Sequence, residues 1–233
     1  LLKYSWRKTK LMSKRIVYVS PTLHLSEDVA IIGSGGILRK HLVGYQGVLK
    51  DYTRGSIIDR HTDVIRFNRA PTVGYEDLVG SKTTLRVVNN HVFNNNDIED
   101  EGYTDQPKDF IRNLKNSKIL YLAQDDMPWN NRASNADSSC ELYRYDWWTY
   151  SSLRDIASIP SNKNLSVGIA TMYLCIASGI VPTLYGFGLN PNDPRDHYWE
   201  DRPPPSGVHD LDREKHLLKE LAMNKKIRLS ALC

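Results

Sequence analysis

The sequence contains no long apolar run. A membrane-spanning helix needs about 18 or more consecutive apolar residues, and the mean hydropathy of this 233-residue chain is −0.48. We therefore expect the chain as given to be soluble. It also lacks a fixed repeat, which excludes solenoid and collagen-like architectures. Its length suffices for one domain with a sizeable core.

Cysteine is scarce. The three cysteines are Cys140, Cys175 and Cys233. Their spacing matches no zinc-binding pattern, and an odd number cannot all pair within the chain, so a disulfide-stapled fold is excluded. Cys175 lies in the apolar run 172–177. We expect it to be a small buried hydrophobic residue rather than a nucleophile.

The body of the chain lacks an excess of basic residues. Six lysines and arginines and no acidic residue lie among the first fifteen positions, so the rest carries 25 basic and 27 acidic residues. Without a cationic face we exclude a nucleic-acid partner. We interpret residues 1–27 as a basic arm or stem that ends in a first strand, and residues 28–233 as one domain. The arm is either solvated or in contact with a membrane surface.

Short β-rich runs alternate with longer stretches that favour helices. The strand candidates are residues 16–19, 29–32, 64–67, 85–88, 119–122 and 183–186. The helix candidates are residues 107–116, 151–158, 166–178 and 210–224. This alternation predicts an α/β fold with a mainly parallel sheet and helices on both faces.

Two polar stretches interrupt the pattern. Residues 89–106 are rich in asparagine and acidic residues, and we interpret them as a surface loop. Residues 188–208 are polar and rich in proline, and this length is typical of a lid or binding loop.

A glycine-rich turn, GSGG at residues 33–36, follows the strand candidate 29–32. Such a turn lets a backbone approach a phosphate or a ribose closely. Leu38 stands where a dinucleotide fingerprint needs glycine or alanine, so a nicotinamide or flavin cofactor is excluded. A simple tight turn and the edge of a nucleotide site both remain open.

Ser166 stands at the start of an apolar helix candidate. Serine is a good N-cap residue, and the free N–H groups of the first turn, at Val167 and Gly168, can hold an anion. An ordinary capped core helix explains the same pattern.

His197 and His209 lie in or beside the proline-rich stretch, although a lone histidine is more often structural than catalytic. The last helix candidate places Glu214 on its apolar face, where a carboxylate needs a partner. Asp210 and Asp212 are better explained as acids in the first turn of that helix than as metal ligands.

Aromatic residues cluster just before a helix candidate, where they either belong to the core or stack a base or a sugar. They are Tyr143, Tyr145, Trp147, Trp148 and Tyr150.

Four motifs, in wording and order, resemble the sialyltransferase family of eukaryotic glycosyltransferases, glycosyltransferase family 29. The large sialylmotif resembles residues 29–89, most specifically IRFNRAPTVGYE at 65–76 and VGSKTT at 79–84. The small sialylmotif resembles residues 160–188, which end in LYGFG. The third motif matches HYWE at 197–200, and the very small motif matches His209 and Glu214 with four residues between them. The resemblance covers about residues 28–229.

This resemblance implies a GT-A-like variant with a Rossmann-like sheet, and makes residues 28–233 a glycosyltransferase catalytic domain. It implies an inverting enzyme that transfers sialic acid from CMP-sialic acid to a hydroxyl of a glycan acceptor. His209 would be the general base, and His197 would support the departing phosphate. The implied nucleotide-binding residues are Ser34, Gly35, Asn68, Ser166, Val167, Gly168, Gly186 and Gly188. The implied supporting residues are Glu214, Glu200 and Tyr143.

The leaving group explains why the resemblance implies neither a metal nor a cofactor. CMP is a monophosphate that gains about one negative charge as the glycosidic bond breaks. A few N–H donors and a histidine can stabilise that charge, where a diphosphate usually calls for a metal.

The sequence departs from the family pattern in three places. Val29 and Gly179 stand where the family has the two cysteines of its usual disulfide, so this compact member lacks that bridge. The common Gly-Asn-Ser-Gly turn is GSGG at residues 33–36, and the common Ser-Thr-Gly is SVG at residues 166–168.

Alternatives remain for the donor and for the class of protein. Another CMP-activated ulosonic acid, such as CMP-Kdo, would suit the same motifs, and a catalytically inactive glycan- or nucleotide-binding module is a second alternative. Retention of both His197 and His209 speaks for an enzyme.

The resemblance implies a location in the Golgi lumen, behind an N-terminal membrane anchor preceding Leu1. The missing disulfide leaves the cytoplasm as the alternative.

Overall fold

The computed structural model describes residues 7–11, 15–19, 23–35, 38, 53–94, 110–123, 136–187, 197–199 and 208–230. Gly188, Glu200 and Cys233 lie outside the described residues. So do most of the proline-rich stretch and residues 95–106 of the asparagine-rich stretch. The expectations for those segments stay predictions.

Seven parallel strands form one sheet within the described ranges, in the order β7-β6-β5-β4-β3-β8-β9. The strands are β1 (Arg7–Leu11), β2 (Arg15–Val19), β3 (Val29–Ile32), β4 (Asp63–Phe67), β5 (Leu85–Val88), β6 (Lys118–Leu122), β7 (Glu141–Tyr145), β8 (Thr183–Tyr185) and β9 (Arg228–Leu229). The central strands are buried on both faces and mostly apolar, as buried parallel strands are, with Arg66 of β4 and Arg86 of β5 as exceptions. In the register of the sheet, Ala30 of β3 pairs with Val64 and with Thr183.

Helices cover both faces of this sheet, which confirms the predicted α/β fold. They are α1 (Arg54–Ile58), α2 (Glu76–Val79), α3 (Asn90–Asn94), α4 (Phe110–Asn113), α5 (Trp147–Ile156), α6 (Val167–Ala177) and α7 (Leu211–Met223). Ile31 and its neighbours on one face pack against α5, α6 and α7, whereas Ile32 and the other face pack against α1 to α4. None of the helices in the described ranges is both long and apolar enough to span a membrane.

The strand order reverses at one place. Strands β3 to β7 follow one another across the sheet, and the chain then returns to add β8 on the other side of β3. Parallel sheets bind ligands in the crevice beyond the carboxyl ends of the strands at such a switch point. The turns that follow β3 and β8 therefore border the expected ligand crevice.

Residues 7–19, within the predicted basic arm, contain an antiparallel hairpin of β1 and β2. The hairpin lies beside α5 and α6. The sequence analysis found β2 but not β1, because the basic residues of β1 are atypical of a strand.

The structure corrects two further details. Residues 90–94 of the expected surface loop form α3, which buries Val92 and Phe93 against β6. The aromatic cluster is divided: Tyr145 and Tyr150 belong to the core, whereas Trp148 is 76% exposed. Tyr143 and Tyr145 of that cluster lie on strand β7 (Glu141–Tyr145), which the sequence analysis missed.

Cys175 is buried in α6, and burial raises the pKa of its thiol to about 12. This confirms a small buried hydrophobic residue, because a thiol that stays protonated is not nucleophilic. Val29 is part of the core, and Gly179 adopts a positive φ of 80° directly after α6. Both positions therefore have local roles of their own.

Replacing Gly186, the residue after β8, with alanine is expected to destabilise the fold more than the same change at Gly179. Both glycines have a positive φ, which costs alanine about 1–2 kcal/mol. A Cβ atom on Gly186 would also lie 2.5 Å from Cδ1 of Leu38, whereas one on Gly179 meets nothing within 4 Å. The clash adds about 1–3 kcal/mol at Gly186 alone. Urea unfolding measures the difference; equal losses would show that Leu38 does not confine the turn.

Candidate active site

The turns after β3 and β8 are joined through their backbones. The Gly33 N–H donates to the Tyr185 carbonyl at 2.7 Å, and the Gly35 N–H donates to the Gly186 carbonyl at 3.1 Å. A Cβ atom on Gly33 would lie 2.5 Å from the Gly186 oxygen, so only glycine allows this approach. The two turns thus form one narrow backbone edge beside the crevice, and Ser34 and Gly35 stay partly exposed on it.

Asn68 directly follows β4, at the same edge of the sheet. Its φ of 43° lies in the left-handed region, which asparagine tolerates better than most residues. Arg86 Nη1 donates to the Asn68 carbonyl at 2.8 Å and to the Ala70 carbonyl at 3.3 Å, which fixes the turn. The Asn89 N–H donates to Asn68 Oδ1 at 3.1 Å. Among the described residues nothing accepts from Nδ2, so its two N–H groups remain for a ligand.

Helix α6 begins at the crevice with an N-cap. Ser166 Oγ accepts from the Ile169 N–H at 3.3 Å. The Val167 and Gly168 N–H groups have no acceptor within the described ranges. Free N–H groups at the positive end of a buried helix favour an anion. The start of α6 therefore has both the serine cap and the two free N–H groups that the anion-binding interpretation requires.

Phe187 connects α6 to the ends of two strands. Its ring meets Phe67 of β4 edge to face at 6.3 Å. A Cβ atom on Gly168 would lie 2.8 Å from Cε1 of Phe187, so a side chain there would collide with the ring. The start of α6 is therefore brought to the carboxyl ends of β4 and β8.

His209 is held beside the start of α6. The Asn164 N–H donates to the Val208 carbonyl at 2.9 Å, and His209 Nδ1 lies 2.8 Å from the Asn164 carbonyl. A carbonyl only accepts, so Nδ1 carries the proton and Nε2 of a neutral imidazole has the free lone pair. The ring is partly exposed and has the tautomer that a general base requires.

Glu214 joins α7 to α6. Its side chain is 6% exposed, and its Oε1 accepts from the Ser166 N–H at 2.8 Å. Burial raises the pKa of this carboxyl above its ordinary value, while the Ser166 hydrogen bonds and the charge of His209 offset part of the rise. The partner that the sequence analysis expected for Glu214 is thus the backbone N–H of Ser166. His209 also interacts with the carboxylate electrostatically.

The segment 197–199 is attached to the turn after β3. The Tyr198 N–H donates to the Ser34 carbonyl at 2.8 Å, and its buried hydroxyl donates to the Pro71 carbonyl. Burial raises the pKa of Tyr198, so the hydroxyl stays a donor. His197 stacks on Trp199 with ring centroids 4.3 Å apart. His197 is therefore placed next to Ser34.

The sequence analysis did not single out Tyr198 or Arg86 for this role. The motif HYWE contained Tyr198 without showing which of its residues is the anchor. An arginine inside an apolar strand was the available signal for Arg86, because arginine is almost never buried without a function in pairing or positioning.

The structure does not bring Tyr143 to this group. Tyr143 lies on β7, with β5 and β6 between that strand and β4. Its hydroxyl donates to Glu141 at 2.7 Å, and burial together with Glu141 raises its pKa to about 12.

The acidic pair near His209 has a structural role. Asp210 is the N-cap of α7, and its Oδ1 accepts from the Arg213 N–H at 3.0 Å. This confirms the interpretation of Asp210 and Asp212 as residues of a helix start. In the described part of the chain, no three histidine, cysteine or acidic side chains are grouped as a metal site.

Comparison with known proteins gives relatives of similar sequence and fold. The chain is 29% identical over 223 residues to mouse CMP-N-acetylneuraminate-beta-galactosamide-alpha-2,3-sialyltransferase 1, with 83% of this chain covered. It is 30% identical over 224 residues to the human protein of that name, with 84% covered. In both cases it spans 59% of the relative's length.

Among solved structures, a mammalian sialyltransferase in complex with Gal-beta-1-3GalNAc-ortho-nitrophenol shares the fold. The TM-score is 0.57 at 24% identity, and the match covers 86% of this chain and 68% of that one. The fold is therefore of the GT-A-like kind that the sequence analysis expected.

The family model for glycosyltransferase family 29 (sialyltransferase) matches residues 26–153 and 140–226. These ranges include the turn after β3, Asn68, the start of α6 and the pair His209 and Glu214. The chain belongs to glycosyltransferase family 29, the sialyltransferase family.

Proposed function

We propose that this chain is an inverting glycosyltransferase that moves sialic acid from CMP-sialic acid to a hydroxyl of a glycan acceptor. The observation that carries the proposal is His209, held with Nε2 free beside the N–H groups that open α6. A base next to an anion-binding helix start suits a reaction in which a hydroxyl loses a proton as a phosphate departs. The α-2,3-sialyltransferases at about 30% identity support the donor and the reaction.

The nucleotide lies at the switch point in this proposal. The turns at Ser34, Gly35 and Gly186 provide the backbone edge, and Gly188 is kept on the family pattern alone. Asn68 Nδ2 provides two donors. The residues 166–168 direct the N–H groups of α6 to the anion. The partial exposure of Ser34, Asn68 and Gly168 leaves these groups accessible to a ligand.

His209 acts as the general base. Nε2 accepts the proton of the acceptor hydroxyl while that oxygen attacks the anomeric carbon of the donor. The bond between that carbon and the phosphate oxygen breaks in the same step, and CMP leaves with the electron pair. Attack and departure on opposite faces invert the configuration.

Glu214 and His197 support the two charges that develop. Ionised Glu214 stabilises the imidazolium that forms at His209, since His209 and Glu214 interact electrostatically. His197, beside Ser34, donates to the departing phosphate. Glu200 is kept as a supporting residue on the family pattern alone.

The leaving group gains about one negative charge, which N–H donors and a histidine can stabilise. The proposed reaction therefore uses no metal and no cofactor. We place the enzyme in the Golgi lumen, with the acceptor a glycan such as the galactose-containing one bound by the structural relative.

Donor transfer tests the proposal directly. We expect the chain to release CMP from CMP-sialic acid when a β-galactoside acceptor is added, with a sialylated product detected by mass spectrometry. The reaction should proceed in EDTA. Release from CMP-Kdo but not from CMP-sialic acid would show that the donor is another ulosonic acid, and binding without turnover would show an inactive module.

Replacing His209 or His197 with alanine is expected to have different effects on kcat and on CMP affinity. His209→Ala should lower kcat by about 10² to 10⁴ with CMP affinity nearly unchanged, the usual scale for loss of acid–base catalysis. His197→Ala should weaken both turnover and CMP binding, because a phosphate contact acts in the ground state as well. The acidic limb of kcat/KM against pH should disappear in His209→Ala. Near-normal turnover of this variant would assign the base elsewhere.

Glu214→Gln is expected to lower kcat about tenfold without loss of stability at pH 7. The amide oxygen can still accept from Ser166, whereas the charge that supports the imidazolium is removed. Because the folded-state pKa of Glu214 is raised, its ionisation costs stability as the pH rises above the ordinary value of 4.5. The free energy of unfolding of Glu214→Gln should therefore increase relative to that of wild type as the pH rises above 4.5.

Denaturant unfolding from pH 4 to pH 8, with kcat measured alongside, checks the Glu214 prediction. Glu220 is an exposed carboxylate on the same helix, so Glu220→Gln is the matched control. This variant should change neither kcat nor the pH dependence of stability. A kcat loss in Glu214→Gln that only follows a loss of folded protein would contradict the electrostatic role.

A further inference from the structure

Arg69 is a buried cation for which the described residues provide no hydrogen-bond acceptor. Its side chain is 4% exposed, and its Nε and Nη2 atoms are buried without a hydrogen-bond acceptor. Buried guanidinium groups are normally paired with a carboxylate or with several carbonyls, because an unpaired charge is costly to remove from water. Arg69 follows Asn68 directly, in the turn at the carboxyl end of β4. Arg69, with two buried nitrogen atoms that lack an acceptor, therefore lies next to Asn68, a proposed nucleotide-binding residue.

The surroundings of this turn add positive charge. Arg86 donates to the carbonyls of Asn68 and Ala70, the two residues that flank Arg69. Arg86 pairs in register with Arg66 on the neighbouring strand. Burial and the nearby Arg66 charge lower the pKa of Arg86 to about 10, so it still carries its proton at neutral pH.

Backbone carbonyls hold Arg66 and Arg86, although the Asp59 carboxylate also acts on Arg66 electrostatically. The Arg66 guanidinium donates to the carbonyls of Val79 and Lys82 and to the Thr83 hydroxyl. Among the described residues none of Arg66, Arg69 and Arg86 forms an ion pair with an acidic side chain. Arg66 and Arg86 satisfy part of their donors on backbone carbonyls, which leaves Arg69 as the group without an acceptor.

We propose that Arg69 binds an anionic group of the sugar-nucleotide donor beside Asn68. The inference rests on the proposed function, which brings two anions to this crevice: the phosphodiester and the carboxylate at the anomeric carbon. A planar guanidinium can bind either one through two parallel hydrogen bonds. Arg69 then adds a cation to the proposed donor site at the carboxyl end of β4, in addition to the N–H groups that open α6.

Binding and stability together distinguish this role from a structural one. Arg69→Met removes the charge and keeps an unbranched apolar side chain, so the protein without nucleotide should be at least as stable as wild type in thermal unfolding. The affinity of this variant for CMP-sialic acid, or for both CMP-sialic acid and CMP, should fall about 10- to 100-fold, the scale of losing charged hydrogen bonds. Arg69→Lys keeps the charge but not the planar guanidinium, so its affinity for the same ligand should fall less.

Calorimetric titrations with cytidine, CMP and CMP-sialic acid identify the group bound. The titrations use the His209→Ala background, so that the donor is not consumed. A loss for both CMP and CMP-sialic acid, with cytidine unchanged, places Arg69 on the phosphate. A loss for CMP-sialic acid alone places it on the carboxylate. Arg228→Met, at an exposed arginine on β9, is the matched control and should bind all three ligands as before.

Two results would overturn the inference. Unchanged affinity of Arg69→Met for CMP and CMP-sialic acid would show that Arg69 touches neither anion. A lower unfolding temperature of this variant without ligand, with the ligand-induced stabilisation intact, would show a structural role. If wild type binds no cytidine nucleotide, the proposed function fails first and the inference falls with it.

Discussion

The backbone contact between the turns after β3 and β8 is the constraint on which the candidate site depends. A side chain on Gly33 would collide with the Gly186 backbone, and one on Gly186 would collide with Leu38. The contact joins segments far apart in sequence at the point where the strand order reverses. Two further elements attach to it: α6 through Phe187, and the His197 segment through Ser34. A displacement of this contact would move the start of α6, Ser34 and the His197 segment together.

Buried charge organises the rest of the site. Glu214 is removed from water at the expense of a raised pKa, and its hydrogen bond from Ser166 ties α7 to the start of α6. His209 precedes the same helix, so one carboxylate positions the helix start and interacts electrostatically with His209. Arg86 fixes the Asn68 turn in the same way through two carbonyls. Such buried polar contacts specify one arrangement because an unmade one leaves a charge unpaired in a low dielectric.

The sequence predicted most of the sheet. Five of its six strand candidates correspond to β3 to β6 and β8, because strands buried on both faces are near-continuous apolar runs. The sixth corresponds to β2 of the hairpin. It missed β7, a partly exposed edge strand with polar residues, and β9, which has two residues. Helices α1 and α2 have five and four residues, too few to show a period of 3.6. Helix α3 was taken for loop because asparagine and histidine surround Val92 and Phe93.

By itself, the sequence determined the class of fold, the motifs of family 29, the Ser166 cap and the need of Glu214 for a partner. Each of these depends on residue type and spacing over a few turns or strands. Only the tertiary structure decided which group answers Glu214, which nitrogen of His209 is free, and that Tyr198 anchors the His197 segment. It also decided that Arg69 has no acceptor among the residues that the structure describes. These facts depend on atoms brought together from distant parts of the chain, and hydrogen-bond geometry and burial exist only once the β3 and β8 turns have met.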